Sequence, residues 1–244
     1  KIWWQLPFLN VLQRFTFWSY EQIVLSLPFD KVIGVSNFTT KRLEKRFAKR
    51  SISTIYNGQI RIASSVDKHE GNYYLFVGRL GVSKGVDILI QSIVMCFNSG
   101  HDFNFKLVIP DSKNHIYQFV LKNLQPFINS QQVELLHNVN DSTLNQLMNN
   151  AKAIIIPSYS EGFGFVAAEA TSTGTPIIHS GRGALNEVAG GNVITFQDYS
   201  SLGLYNAILE AEENKFQYIA PIEFPIEDTA EKYMLEYNRI IHSD

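Results

Sequence analysis

Short runs of apolar and β-branched residues alternate along this chain with longer stretches whose apolar positions recur at three- and four-residue spacing. Residues 31–35, 52–56, 73–77, 103–109, 133–136, 153–156, 176–179 and 193–196 are the expected strands. Residues 39–49, 86–98, 116–128, 142–151, 163–173 and 201–214 are the expected helices. That order predicts an α/β fold, a parallel sheet with helices on both faces. Such sheets bind ligands beyond the carboxyl ends of their strands, so Gly78, Pro157 and Ser180 mark the expected binding edge.

Two regions depart from the alternation. The first 28 residues carry Trp3, Trp4, Phe8, Phe15, Phe17, Trp18 and Tyr20, a density well above the 13% aromatic content of the chain. A helix packed on the rest of the fold is the first expectation. Peripheral contact with a membrane surface is the second, weakened because Lys1 and Arg14 are the only basic residues there. An interface exposed by a missing neighbour is the third. The polar stretch 59–72, which follows the turn pair Asn57-Gly58, is the expected interdomain linker.

Composition narrows the function. A net charge of −2 and a pI near 6.3 argue against a general nucleic-acid binder, which needs a basic face. The single cysteine, Cys96, stands in an apolar run and is expected in the core; with no second cysteine to pair with, the cell interior is favoured. No apolar run approaches the roughly 20 residues that span a bilayer.

Chemistry is concentrated in AIIIPSYSEGFGFVAAEATSTGT, residues 153–175. Glu161 and Glu169 stand eight positions apart, and a helix reaching back to Glu161 would place them within roughly 80° of each other around its axis. Gly162 and Gly164 would leave backbone N–H groups uncovered at the positive end of the helix dipole, where a phosphate is stabilised. A second cluster lies in FVGRLGVSKGVDILIQSI, where Arg79 and Lys84 flank a loop after an expected strand and could grip a diphosphate. The competing reading pairs Arg79 with a surface acid and leaves Lys84 solvated. The segment lacks the GK[ST] of a nucleotide-binding P-loop. GFGFVA also satisfies a dinucleotide fingerprint, with Glu187 as its ribose acid, although five residues separate its first glycine from the expected strand. A buried glutamate costs several kcal/mol unless it is paired or hydrogen-bonded, so Glu169, on an Ala-rich helix face, needs a partner, either an arginine or a sugar diol.

Four segments in order, VIGVSNFTTKRL with IYNG, FVGRLGVSKGVDILIQSI, LHNVNDSTLNQLMNNA, and PSYSEGFGFVAAEATSTGTPII with GRGALNEV, resemble the retaining, GT-B-fold glycosyltransferases of glycosyltransferase family 4. The resemblance covers most of residues 31–188 and implies a Rossmann-like donor domain. It implies that Arg79 and Lys84 hold the donor's diphosphate with the N–H groups of Gly162, Phe163, Gly164 and Phe165. Glu161 would meet the transferred sugar, Glu169 the ribose hydroxyls and Val139 the base, with Glu187 in a supporting loop. The implied reaction moves a sugar from a UDP or GDP sugar to an acceptor hydroxyl with retention, in polysaccharide, glycolipid or glycoprotein synthesis. No metal or other cofactor is implied, and the expected location is the cytoplasm or the inner membrane face. The implied domains are a remnant acceptor domain (1–57), a linker (58–72), the donor domain (73–222) and a crossover helix (223–244) that returns to the first domain. His137 and Asp111 stand where the family often has glycine. Most of the acceptor half is not in this sequence, so a polypeptide supplying it is an expected partner. A non-catalytic donor-binding module, a split-transferase subunit and an NAD-dependent oxidoreductase are the alternatives.

Overall fold

The computed structural model describes residues 6–27, 29–45, 47, 52–59, 71–112 and 114–242. Trp3, Trp4 and most of the expected linker therefore lie outside the described residues. Strands β3 (Tyr73–Val77), β4 (Asn104–Val108), β5 (Val133–Leu136), β6 (Ala153–Ile156), β7 (Ile177–His179), β8 (Gly191–Thr195) and β9 (Gln217–Ile219) form one sheet in the order β5-β4-β3-β6-β7-β8-β9. All neighbours are parallel except β9, which runs antiparallel to β8. The α/β class is thus as expected, and the added antiparallel edge strand is a correction. β9 escapes a pattern-based reading because it is three residues long and exposed throughout, held by its backbone rather than by apolar side chains.

Alternation along the buried strands builds two cores, one on each face. Tyr74 and Phe76 point to the side covered by α3 (Val86–Asn98), α4 (His115–Asn129) and α8 (Ser201–Glu212). Tyr73, Leu75, Ile154 and Ile156 point to the other, covered by α5 (Asp141–Asn149), α6 (Phe165–Thr173) and α7 (Leu185–Val188). Cys96 is buried in the first core, its thiol pushed up to about 12 by desolvation, so it is a packing residue as expected.

The sheet order reverses between β3 and β6: from β3 the chain works outward to β5, then returns to place β6 on the other side. Ligands of open α/β sheets sit at such a switch point. The loops leaving these two strands are fastened by backbone. The N–H of Tyr159 donates to the carbonyl of Ser83 at 2.8 Å, and Gly85 lies so close to Pro157 that any Cβ there would strike the proline carbonyl. Gly85 also holds φ +66°, a conformation glycine adopts without strain.

Ahead of this sheet, β1 (Val32–Gly34) and β2 (Ile52–Thr54) pair in parallel around α2 (Asn37–Glu44). The helix α9 (Ile226–Ile241) meets this small unit: Lys31 pairs with the buried Glu236 at 3.2 Å, and Thr229 Oγ1 donates to the carbonyl of Tyr56 at 2.9 Å. The aromatic segment is a helix, α1 (Val11–Ser26), but none of its residues is buried. Its approach is anchored by the buried Leu6 and by Phe8 against His115 and Phe119. Among the described residues no helix is long and apolar enough to cross a membrane.

Candidate functional site

A cleft of about 320 Å³ opens above the ends of β3 and β6, lined by Arg79, Lys84, Ser158, Glu161 and the turn 162–165. Two of the sequence clusters, separated by nearly 80 residues, thus share one cavity. Arg79 is exposed, and its guanidinium has no hydrogen-bond or ionic partner among the described residues. Lys84 is not left solvated, as the competing reading had it. Its Nζ lies 2.7 Å from Glu161 Oε1, which also accepts from Ser158 Oγ at 2.6 Å. The second Glu161 oxygen has no partner among the described residues, and the contacts from Lys84 and Ser158 orient the carboxylate within the cleft.

Glu161 stands in the strand-to-helix turn and Glu169 inside α6, as expected; a helix reaching back to Glu161, the condition for the 80° relation, does not form. The helix starts at Phe165, because Gly164 stands at φ +100° and interrupts the helical path. Glu161 is therefore presented by the loop, and the 80° relation to Glu169 does not hold. The same turn leaves the N–H groups of Gly162, Phe163 and Gly164 without partners among the described residues. Successive unpaired N–H groups before a helix N-terminus form an anion-binding concavity.

Glu169 lies one turn inside α6, half-buried, outside the lining of the cleft. No arginine meets it; its carboxylate has no hydrogen bond or ion pair among the described residues. Burial raises its pKa, and Asp141 at the start of α5 adds to the rise. Val139 is two residues before Asp141, in the loop after β5, and does not line the cleft either. His137, in that loop, spans to the neighbouring one through the carbonyl of Ile109 at 2.8 Å, and its other nitrogen faces Tyr117 Oη at 3.3 Å.

Glu187 occupies a place its sequence position did not reveal. Its carboxylate accepts from the N–H of Asn37 at 2.9 Å, the N–H of Phe38 at 2.7 Å and the hydroxyl of Tyr56 at 2.8 Å. A ribose acid needs free oxygens, and these are spent on α2 and Tyr56. The dinucleotide reading loses its second half. Sequence reasoning also missed Ser158, which orients Glu161, and Ser36 and Thr39, whose hydroxyls donate to the carbonyl of Gly162 at 2.6 and 3.1 Å. Ser36 is readable as an N-cap by its residue type; its contact across 126 positions is not. His179 supports the site from β7. It is buried and neutral, its pKa lowered to about 4 by desolvation, with Nδ1 accepting from the N–H of Gly181 at 3.0 Å and Nε2 facing Thr195 Oγ1 at 3.1 Å.

An open, mostly parallel sheet with an anion-ready cleft at its switch point, joined to a smaller α/β unit, is the architecture of the GT-B glycosyltransferases. Sucrose-phosphate synthase from Thermosynechococcus elongatus superposes with a TM-score of 0.76 at 19% identity, over 100% of this chain and 66% of that one. The Anabaena protein HepE, solved with UDP and glucose, superposes with a TM-score of 0.67 at 19% identity, over 86% of this chain and 63% of that one. The chain belongs to the glycosyl transferases group 1 family, whose pattern matches residues 59–223. An uncharacterised glycosyltransferase of Methanocaldococcus jannaschii is 35% identical over 192 residues, 76% of this chain and 50% of that protein. A D-inositol 3-phosphate glycosyltransferase of Arthrobacter sp. is 30% identical over 115 residues, 47% of this chain and 27% of that protein. The chain spans about half the length, or less, of these curated relatives.

Proposed function

We propose that this chain is the donor-binding half of a retaining glycosyltransferase of family 4, which takes a sugar from a nucleoside diphosphate sugar and passes it to an acceptor hydroxyl. The observation that carries the reading is the convergence of Arg79, Lys84 and the unpaired N–H groups of Gly162, Phe163 and Gly164 on one cleft at the switch point. Group transfer leaves a diphosphate whose charge grows as the glycosidic bond breaks. A preorganised fork from Arg79, a point charge from Lys84 and fixed backbone dipoles stabilise that charge most where it is greatest, in the transition state. Binding of the donor exchanges partners: Lys84 leaves Glu161 for phosphate, and the freed Glu161 carboxylate faces the sugar. Glu169 receives the ribose diol, which supplies the hydrogen bonds this half-buried carboxylate lacks. Solved relatives in fold that carry UDP with glucose or N-acetylglucosamine support a uridine donor. The acceptor side belongs to a polypeptide region outside this chain, so the chain alone is expected to bind donor better than it turns it over.

Calorimetric titration with UDP, GDP and NAD tests the reading. One of the two diphosphates binds, NAD does not, and Arg79→Ala weakens the diphosphate by about tenfold or more, the range of a lost charge-assisted pair. Binding of NAD with neither diphosphate would sink it.

A further inference from the structure

The turn that carries the unpaired N–H groups is itself held from outside the seven-stranded sheet. The carbonyl of Gly162 accepts from Ser36 Oγ and Thr39 Oγ1, at 2.6 and 3.1 Å. A trans peptide is planar with its C=O and N–H opposed, so fixing this carbonyl toward α2 turns the N–H of Phe163 away from α2. The direction of one donor in the anion site is therefore set by two hydroxyls on α2.

The placement of α2 depends in turn on Glu187. A helix begins with N–H groups that lack intrahelical partners, and α2 has no acidic residue in its own first turn. Ser36 Oγ accepts from the N–H of Thr39 at 3.1 Å, and the Glu187 carboxylate accepts from those of Asn37 and Phe38. A charge delivered from 150 positions away thus completes the cap and meets the positive end of the helix dipole. The same carboxylate accepts from the Tyr56 hydroxyl, and the Tyr56 ring packs edge-on against Phe163 with centroids 6.3 Å apart. Two routes, one through α2 and one through Tyr56, run from Glu187 to the peptide between residues 162 and 163. The loop that leads into α7 braces the other side, with the N–H of Ala184 donating to the carbonyl of Glu161 at 2.9 Å.

We infer that Glu187 is a positioning residue for the donor's diphosphate: it seats α2 and Tyr56 so that the Gly162–Phe163 peptide presents its N–H to the phosphate. The inference rests on the functional reading above. It makes the small N-terminal unit part of the donor site without a direct contact to the donor. It also separates Glu187 from Arg79 and Lys84, which touch the ligand themselves.

The test is a double-mutant cycle read in affinity for UDP or GDP, whichever the wild-type chain binds, at a temperature where circular dichroism shows every variant folded. Glu187→Gln and Ser36→Ala each weaken binding by about tenfold, and the double variant is no weaker than the worse single one, because Glu187→Gln already breaks the route through α2 that Ser36 completes. Thr39→Ser, which keeps the hydroxyl, binds like wild type. Should Glu187→Gln fail to fold, Ser36→Ala and Tyr56→Phe carry the test, each expected to lose affinity with its fold intact. Wild-type affinity in Glu187→Gln, or losses in the double variant that simply multiply, overturns the inference while leaving the functional reading in place. A wild-type chain that binds neither diphosphate overturns both.

Discussion

The seven-stranded sheet and the segment ahead of it obey different rules. Every residue of β6 and β7 is buried, and two apolar cores close the sheet on both faces. In α1 nothing is buried: Leu12, Tyr20 and Ile23 stand more than half exposed, and a groove of about 750 Å³ separates Trp18 and Leu25 from Phe38 and Leu43 of the α2 side. Burial of apolar area is the main favourable term in folding, so the sheet holds its own shape, while α1 leaves much of its apolar surface exposed. The lesson is that sequence hydrophobicity alone does not identify a core. α1 is rich in aromatic residues, yet none of them is buried.

The largest expected effect tests that contrast directly. Ile154 is fully buried in β6, and Ile154→Ala should lower unfolding free energy by about 4 kcal/mol, the range of a core truncation that leaves a cavity. Leu12, 73% exposed on α1, should change stability by less than about 0.5 kcal/mol when replaced by Ser. Urea denaturation of both variants checks the pair, and equal losses would break the comparison.

Acid should act next, and on the sheet. His179 is neutral in the fold, its pKa lowered from 6.5 to about 4, so between these values the unfolded chain binds more protons than the folded one. Its contribution is complete above pH 6.5 and is lost as pH falls toward 4, amounting to roughly 3 kcal/mol at the lower end. Denaturation curves at pH 7 and 4.5 should show this slope in wild type and a shallower one in His179→Asn.

The smallest effect has an inverted sign. Glu169 is a half-buried carboxylate with a raised pKa and no partner among the described residues, so its charge at pH 7 opposes folding. Glu169→Gln should raise stability at pH 7 by an amount of the order of 1 kcal/mol while weakening nucleoside diphosphate binding. The gain should fade as the pH is lowered and the wild-type carboxyl takes up its proton. Thermal melts at two pH values, paired with the titration, measure both.

Much of the fold is readable from pattern. The bounds of β3, β5, β6 and α3 coincide with the expected ones; β3 and β6 are buried runs, whereas β5 buries only Val133. β9 and α7 were hidden because three exposed strand residues and four helical ones carry no periodicity. The candidate site was readable in its residue types, not in its geometry. Nothing local foretells that Lys84 is held by Glu161, that α6 starts only after Gly164, or that Glu187 caps a helix 150 positions away. These depend on which loops the sheet order brings together.

That meeting of loops also limits what redesign can change. Where Gly85 passes Pro157, the loops leaving β3 and β6 meet so closely that a Cβ on Gly85 would strike the Pro157 carbonyl. A larger residue there displaces the strand ends themselves. Efforts to retune ligand preference therefore belong on exposed side chains that line the cleft, such as Phe165, where a change of shape leaves the meeting of the two loops undisturbed.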